Sequence, residues 1–136
     1  MPRIDKKIVA DQDRPSTLPR HFDKFCLQVE NSAYRFAELF CDEYAGGYWE
    51  MYELSNGGLY MAPREDPGRT VRLSVQTNYF VGQVSEDALG IIVFLFIYSH
   101  LSSVPDYGDV FTRHFYSLRD YALDHDERIV IIGAID

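Results

Sequence analysis

Cysteine is scarce in this chain. Its 136 residues hold two, Cys26 and Cys41, and no Cys-x-x-Cys pair. On one helix the two would stand roughly 22 Å apart at 1.5 Å rise per residue, far beyond disulfide reach. Reduced thiols of a cytosolic protein are therefore expected, serving as packing residues. Histidine is almost as sparse: His21, His100, His114 and His125 are isolated, with no His-x-x-x-His spacing. That removes the usual metal-site signatures, and no metal or cofactor is expected. Gly46-Gly47 and Gly57-Gly58 lack the lysine of a phosphate-cradling loop and the spacing of a dinucleotide fingerprint. No serine has the elbow context of a hydrolase nucleophile. Ser99 and His100 are sequence neighbours, but on a helix such neighbours point about 100° apart, so no catalytic residue is expected.

Long apolar runs are missing too. The longest spans residues 88–98 (ALGIIVFLFIY), well short of the roughly 20 residues that cross a bilayer, and it reads as a buried helix. No apolar stretch follows the first basic residues, so no signal peptide and no membrane association are expected. The length fits one domain.

Positive charge is the other shortage. The formal net charge is −8. Residues 1–29 carry six Lys/Arg against four Asp/Glu, net +2; the rest carry seven against seventeen, net −10. Nucleic-acid affinity depends mainly on neutralising phosphates, and no Lys/Arg cluster follows Lys24. Direct nucleic-acid binding by the body is not expected. DNA mimicry is not favoured either. A mimic needs closely spaced carboxylates, because duplex DNA carries about one charge per 1.7 Å of axis, and here the acids are dispersed among aromatics.

Aromatics are what the chain does have, at 15% with 10 Tyr and 9 Phe, enough to build a core. Residues 1–17 are polar, with Pro2 and Pro15, and are expected as a flexible N-terminal arm; residues 18–136 are expected as the single domain. Between 22 and 44, Val29, Ala33, Phe36, Ala37 and Phe40 recur at helical spacing, with Gly46 as the expected left-handed stop. Two short aromatic runs flank Ser55-Asn56-Gly57-Gly58. Asn-Gly there predicts a type I′ hairpin pairing Leu54 with Leu59, Tyr52 with Met61 and Glu53 with Tyr60.

Residues 63–68 read as a loop, 70–75 as a half-buried strand, and 79–84 as its return. Ser85 is placed to cap the next helix, with Glu86 and Asp87 in its first turn. Val110, Phe111, His114, Phe115, Leu118, Tyr121 and Ala122 share one stripe of a helix over 109–123. Residues 128–135 are open between strand and helix: Ile129, Val130, Ile131 and Ile132 favour a strand, while Asp126 followed by Glu127 favours a helix start. The expected fold is α+β: a four-stranded antiparallel meander packed with an N-terminal helix and two to three C-terminal helices.

Among polar groups, Glu50 shares a strand face with Tyr52 and Leu54 and needs an Arg or a Tyr hydroxyl if buried. A structural pair is favoured there over a general acid. His114 reads as a satisfied core histidine, and His125-Asp126-Glu127 as a solvated turn. Tyr48, Trp49, Tyr52, Tyr60 and Tyr79 are candidates for a binding face, since Tyr and Trp are enriched at interface hot spots.

The stretch Tyr44-Ala-Gly-Gly-Tyr-Trp-Glu-Met-Tyr-Glu-Leu-Ser-Asn-Gly-Gly-Leu-Tyr-Met-Ala-Pro63 resembles the hallmark segment of the KlcA/ArdB antirestriction family. Leu18-Pro-Arg20, Asn78-Tyr-Phe with Gly82, Ser85-Glu-Asp-Ala-Leu-Gly90 leading to Ser99-His-Leu101, Leu118-Arg-Asp-Tyr-Ala-Leu-Asp-His125 and Ala134-Ile-Asp136 match it in order. The family tail is Ala-rich and helical, and Ile129-Val-Ile-Ile132 departs from it. The resemblance implies a cytoplasmic, plasmid- or mobile-element-borne protein, not an enzyme, that lets unmodified DNA escape Type I restriction. Protein contact with the restriction complex or a host factor is the expected mode, with a monomer expected. Trp49, Glu50, Tyr52, Tyr60, Arg119, Asp120 and Asp136 are the candidate interaction surface. The alternative is a plasmid-maintenance or transcriptional adaptor that binds DNA through the basic N-terminal arm.

Overall fold

A computed structural model describes residues 3–44, 46–64 and 69–136. Its centre is the helix α3 (Glu86–Ser102), the apolar run of the sequence. Thirteen of its seventeen residues are buried and only Ser99 and His100, near its end, are exposed, so almost its whole length must be covered on every side. Around it lie β3 (Leu59–Pro63), α2 (Cys26–Phe40), α4 (Val110–Ala122), α5 (Arg128–Ile135) and the hairpin of β4 (Thr70–Val75) and β5 (Phe80–Ser85). Ser85 caps α3 as expected, its Oγ accepting from the Ala88 N–H at 3.1 Å.

The class is α+β, but the expected meander divides. Among the described residues there are five strands, in a three-stranded sheet ordered β1 (Lys6–Ile8), β2 (Trp49–Leu54), β3 and a separate two-stranded β4–β5 sheet. The reason lies at the outer edge of β3. Gly58 O accepts from Leu54 N on the β2 side, so by strand alternation the backbone groups of Leu59 and Met61 point the other way. That edge belongs to α3: Tyr98 Oη donates to Leu59 O at 2.6 Å, and a Cβ on Gly90 would stand 2.4 Å from Met61 O and 2.4 Å from Ala62 Cβ. A helix packed this close leaves no room for β4. The edges of the smaller sheet are met by side chains instead, the Arg72 N–H by Glu43 at 2.8 Å and the Ser85 N–H by Glu127 at 2.9 Å.

The β2–β3 turn also differs by one residue. Tyr52 pairs with Tyr60, Glu53 with Leu59 and Met51 with Met61. Among residues 55–58 only Gly57 has positive φ, +91°, whereas type I′ needs it at two central positions. Ser55, Asn56 and Gly57 form a three-residue loop, and the one-residue shift exchanges which β3 side chains share a face with Glu50 and Tyr52.

Residues 3–17, expected as part of a flexible arm, lie against the body. β1 pairs antiparallel with β2, a 3-10 turn follows at Asp11–Asp13, and α1 spans Arg14–Phe22. Pro15 sits in the first turn of α1, where a missing N–H costs nothing. Strand pairing of this kind is a long-range gain that local polarity does not reveal. The α2 helix ends at Phe40 rather than at Gly46, and residues 128–135 are helical. Within the 63–68 loop, residues 65–68 lie outside the described part.

Gly90→Ala is expected to lower unfolding free energy by about 1–3 kcal/mol or more, because the added methyl meets backbone as well as a side chain. Chemical denaturation measures it, and an unchanged midpoint would mean that α3 can slide away from β3.

Candidate functional site

Two sequence blocks that are far apart meet at the start of α3. Asp87, in the first turn of that helix, is buried. Its Oδ1 accepts from Tyr60 Oη at 2.6 Å and from Lys6 Nζ at 3.1 Å. Its Oδ2 is 2.8 Å from His125 Nε2. The Glu127 N–H donates to His125 Nδ1 at 2.9 Å, so the ring proton sits on Nε2 and points at Asp87, and a neutral imidazole satisfies both bonds. Glu127 turns back to Ser85, accepting from its hydroxyl and its N–H. Lys6 also stands 4.5 Å over the Tyr52 ring, and Tyr52 stacks on Tyr60 at 5.2 Å.

Burial alone would raise the Asp87 pKa, but the bonds from His125 and Tyr60 and the Lys6 charge outweigh it and hold the carboxyl down to about 2. The same burial, together with the negative Asp87, pushes the Tyr60 hydroxyl far up, so it is a permanent donor here. Above this hub opens a cleft of about 360 Å³, with Arg3, Tyr121, Asp124 and Asp126 at its walls. Asp124 and Asp126 are exposed. In the cleft the Ser85 hydroxyl donates to Glu127, and His125 is turned to Asp87. Among the described residues no group of three or more His, Cys, Asp or Glu is arranged to hold a metal ion.

The candidate interaction surface does not survive as a surface. Trp49 is 2% exposed and Tyr60 0%. Trp49 Nε1 donates to Tyr44 Oη at 3.0 Å. Glu50 is buried and takes two bonds from Arg64, at 3.0 and 2.8 Å, which is the arginine partner expected for it. Tyr52 is half-buried under Lys6. Only Asp120 and Asp136 are fully at the surface, with Arg119 half-buried. The large rings were needed to fill space around α3, and their size decided their place. Of the five aromatics expected to form a face, Tyr48 and Tyr79 remain exposed, and Tyr48 lies between the guanidinium groups of Arg14 and Arg64.

His125 and Glu127 were misread as a solvated turn, and Asp87 as a helix-start acid alone. A signal was present: an acid in an apolar helix's first turn, and a histidine that closes the last aromatic stripe. Lys6 gave no signal, because it was counted with the arm.

Asp87→Asn is expected to cost about 2–3 kcal/mol near neutral pH, because the neutral amide loses the charge-assisted bonds from Lys6, Tyr60 and His125. The folded pKa of about 2 lies below the unfolded value of about 3.9. The contribution is therefore full above about pH 4 and lost as pH falls towards 2. Urea midpoints of the two proteins should converge over that window, and equal midpoints at neutral pH would refute the hub's role.

The chain is similar to known proteins along most of its length. A family model described as "Antirestriction protein" matches residues 42–136. YfjX of Escherichia coli K12 is 38% identical over 130 residues, covering 94% of this chain and 85% of that protein. The antirestriction protein KlcA of Escherichia coli is similar in two forms. One is 33% identical over 98% of this chain and 95% of its own length, the other 37% identical over 94% and 90%. A solved structure from work on the KlcA and ArdB proteins superposes with a TM-score of 0.89 at 32% identity, over 100% of this chain and 99% of that one. Those proteins are described as having a novel fold and antirestriction activity against Type I DNA restriction systems in vivo but not in vitro. With its family model, its relatives along nearly their whole length and its fold in agreement, the chain belongs to the antirestriction protein family of KlcA and ArdB.

Proposed function

We propose that this protein protects incoming unmodified DNA from Type I restriction in the cytoplasm, by binding a protein rather than by catalysis or DNA mimicry. The observation that carries the reading is the full-length likeness to proteins with that activity in vivo. Their activity in vivo but not in vitro favours a partner that is present in the cell and missing from a purified reaction: a host factor, or the restriction complex in its cellular state.

Two features of the molecule favour protein contact. The cleft over Asp87 presents mixed charge, with Arg3 beside Asp124 and Asp126, rather than a regular row of carboxylates. And three of the six basic residues of the N-terminal segment are engaged internally: Lys6 with Asp87, Arg14 with Trp49 O and Arg20 with Glu53. The adaptor reading needs those cations free for phosphates, and it loses support accordingly. The contact surface we assign is the mouth of this cleft, with Arg3, Asp124 and Asp126 as its exposed charges.

Unmodified phage should plate more efficiently on a Type I restricting host that expresses the protein, and no more efficiently on a Type II host. The triple variant Arg3→Gln, Asp124→Asn, Asp126→Asn should keep its unfolding midpoint and lose most of that protection. Full protection by the variant would move the contact elsewhere. No protection by the folded wild type would overturn the reading.

A further inference from the structure

A second cluster of ionisable groups joins α1, α4 and β2, away from the cleft. His21 Nδ1 is 3.0 Å from His114 Nε2. His114 Nδ1 is 2.9 Å from Val110 O, and His21 Nε2 is 2.7 Å from Glu53 Oε2. The chain of bonds thus ends in an acceptor on both sides, a backbone carbonyl and a carboxylate. Three bonds in a row between two acceptors require three protons on the four ring nitrogens, and two neutral imidazoles carry only two.

We propose that His21 and His114 form a shared-proton clasp, holding α1 against α4 and β2 while the pair carries one positive charge and weakening when that proton is lost. The bond to Val110 O keeps a proton on His114 Nδ1, and the Glu53 carboxylate 2.7 Å from His21 makes His21 the better seat for the extra proton, leaving His114 Nε2 as the acceptor. The third proton therefore belongs to His21, which donates from Nδ1 to His114 and from Nε2 to Glu53. When the pair is down to two protons, His21 must turn a bare nitrogen towards either His114 Nε2 or the Glu53 carboxylate, at 3.0 or 2.7 Å. Both are repulsive. Imidazole is the side chain that changes charge nearest neutral pH.

The surroundings fit. Arg20 donates to Glu53 at 2.9 Å, and these bonds, with help from His21, hold the Glu53 carboxyl below its usual range against a smaller opposing effect of burial. Glu53 is therefore a carboxylate and not the missing donor. Burial, with His21 and Arg113 nearby, lowers the His114 pKa, against the bond to Val110 O, which raises it, so His114 is the neutral member. The other groups facing the pair are Lys7 opposite Glu53 on β1, Arg113 on α4 with its partner Asp109, and the Tyr98 hydroxyphenyl on α3, whose buried hydroxyl stays protonated. Phe22 packs on the His114 ring at 4.7 Å, which ties the end of α1 to this contact. A groove lined by Arg20, His21, Arg113, His114, Asn56 and Ser117 opens over the pair and gives water and protons access.

The test is ring-nitrogen NMR on the full-length protein labelled with nitrogen-15 histidine, from about pH 5 to about pH 8. At the acid end three of the four nitrogens of the pair should read as protonated, His114 Nε2 being the exception. His125, held as an Nε2–H ring, serves as the internal control. At the basic end the count should fall to two, and amide exchange in α1 should quicken over the same interval. A count of two throughout, or a change at His114 with none at His21, would overturn the proposal. A second measurement compares wild type with His21→Gln by urea unfolding. The wild-type advantage in the unfolding constant should be about tenfold at the acid end and shrink to within about twofold at the basic end. An advantage that is the same at both ends would sink the clasp, leaving only a packing role for His21.

Discussion

The contact of α3 with β3 at Gly90 is the constraint on which the remaining architecture depends. A helix that is apolar on all sides must be enclosed, and Gly90 lets one of its sides come down onto the backbone of Met61 and Ala62. With the edge of β3 taken, the two hairpins cannot join, and β1 is drawn in from the N-terminal segment to the other side of β2. The position of Tyr98 over Leu59 O follows from the same approach. It supplies a donor to a carbonyl that strand pairing would otherwise have satisfied.

Charge is organised around this apolar centre in two different ways. Asp87 is saturated: three groups, Lys6 from β1, Tyr60 from β3 and His125 from the turn after α4, meet at one carboxylate on α3. Such a hub rigidifies the floor of the cleft and fixes where the exposed Arg3, Asp124 and Asp126 stand. The His21–His114 pair is instead short of a proton unless it is charged, so its strength depends on conditions while that of Asp87 does not in the neutral range. With the clasp proposed above, the molecule has a fixed hub and, at a separate place, an adjustable joint.

Much of the fold was legible in the residues. The capped start of α3, the stripe of α4, the helical spacing before Phe40 and the strands of both hairpins were readable because each rests on local preference and periodicity. The α+β class and the family resemblance followed. The hairpin register was missed because Asn-Gly also serves a three-residue loop. The candidate surface was misplaced for a different reason: Trp49 and Tyr60 are as suited to an interface as to a core, and composition cannot choose between them. Of the polar expectations, the arginine partner of Glu50 and the bonded state of His114 were correct in kind, while the identity of each partner is set by tertiary packing.

Local chemistry, then, determined which segments are helix or strand and which helix must be buried, because caps, turns and hydrophobic period act within a few residues. The division into two sheets, the binding of Lys6 to Asp87 and the meeting of His21 with His114 were decided by tertiary structure alone. Each joins residues tens of positions apart. Which partners meet is set by the space left around α3, and that space exists only once the chain has packed.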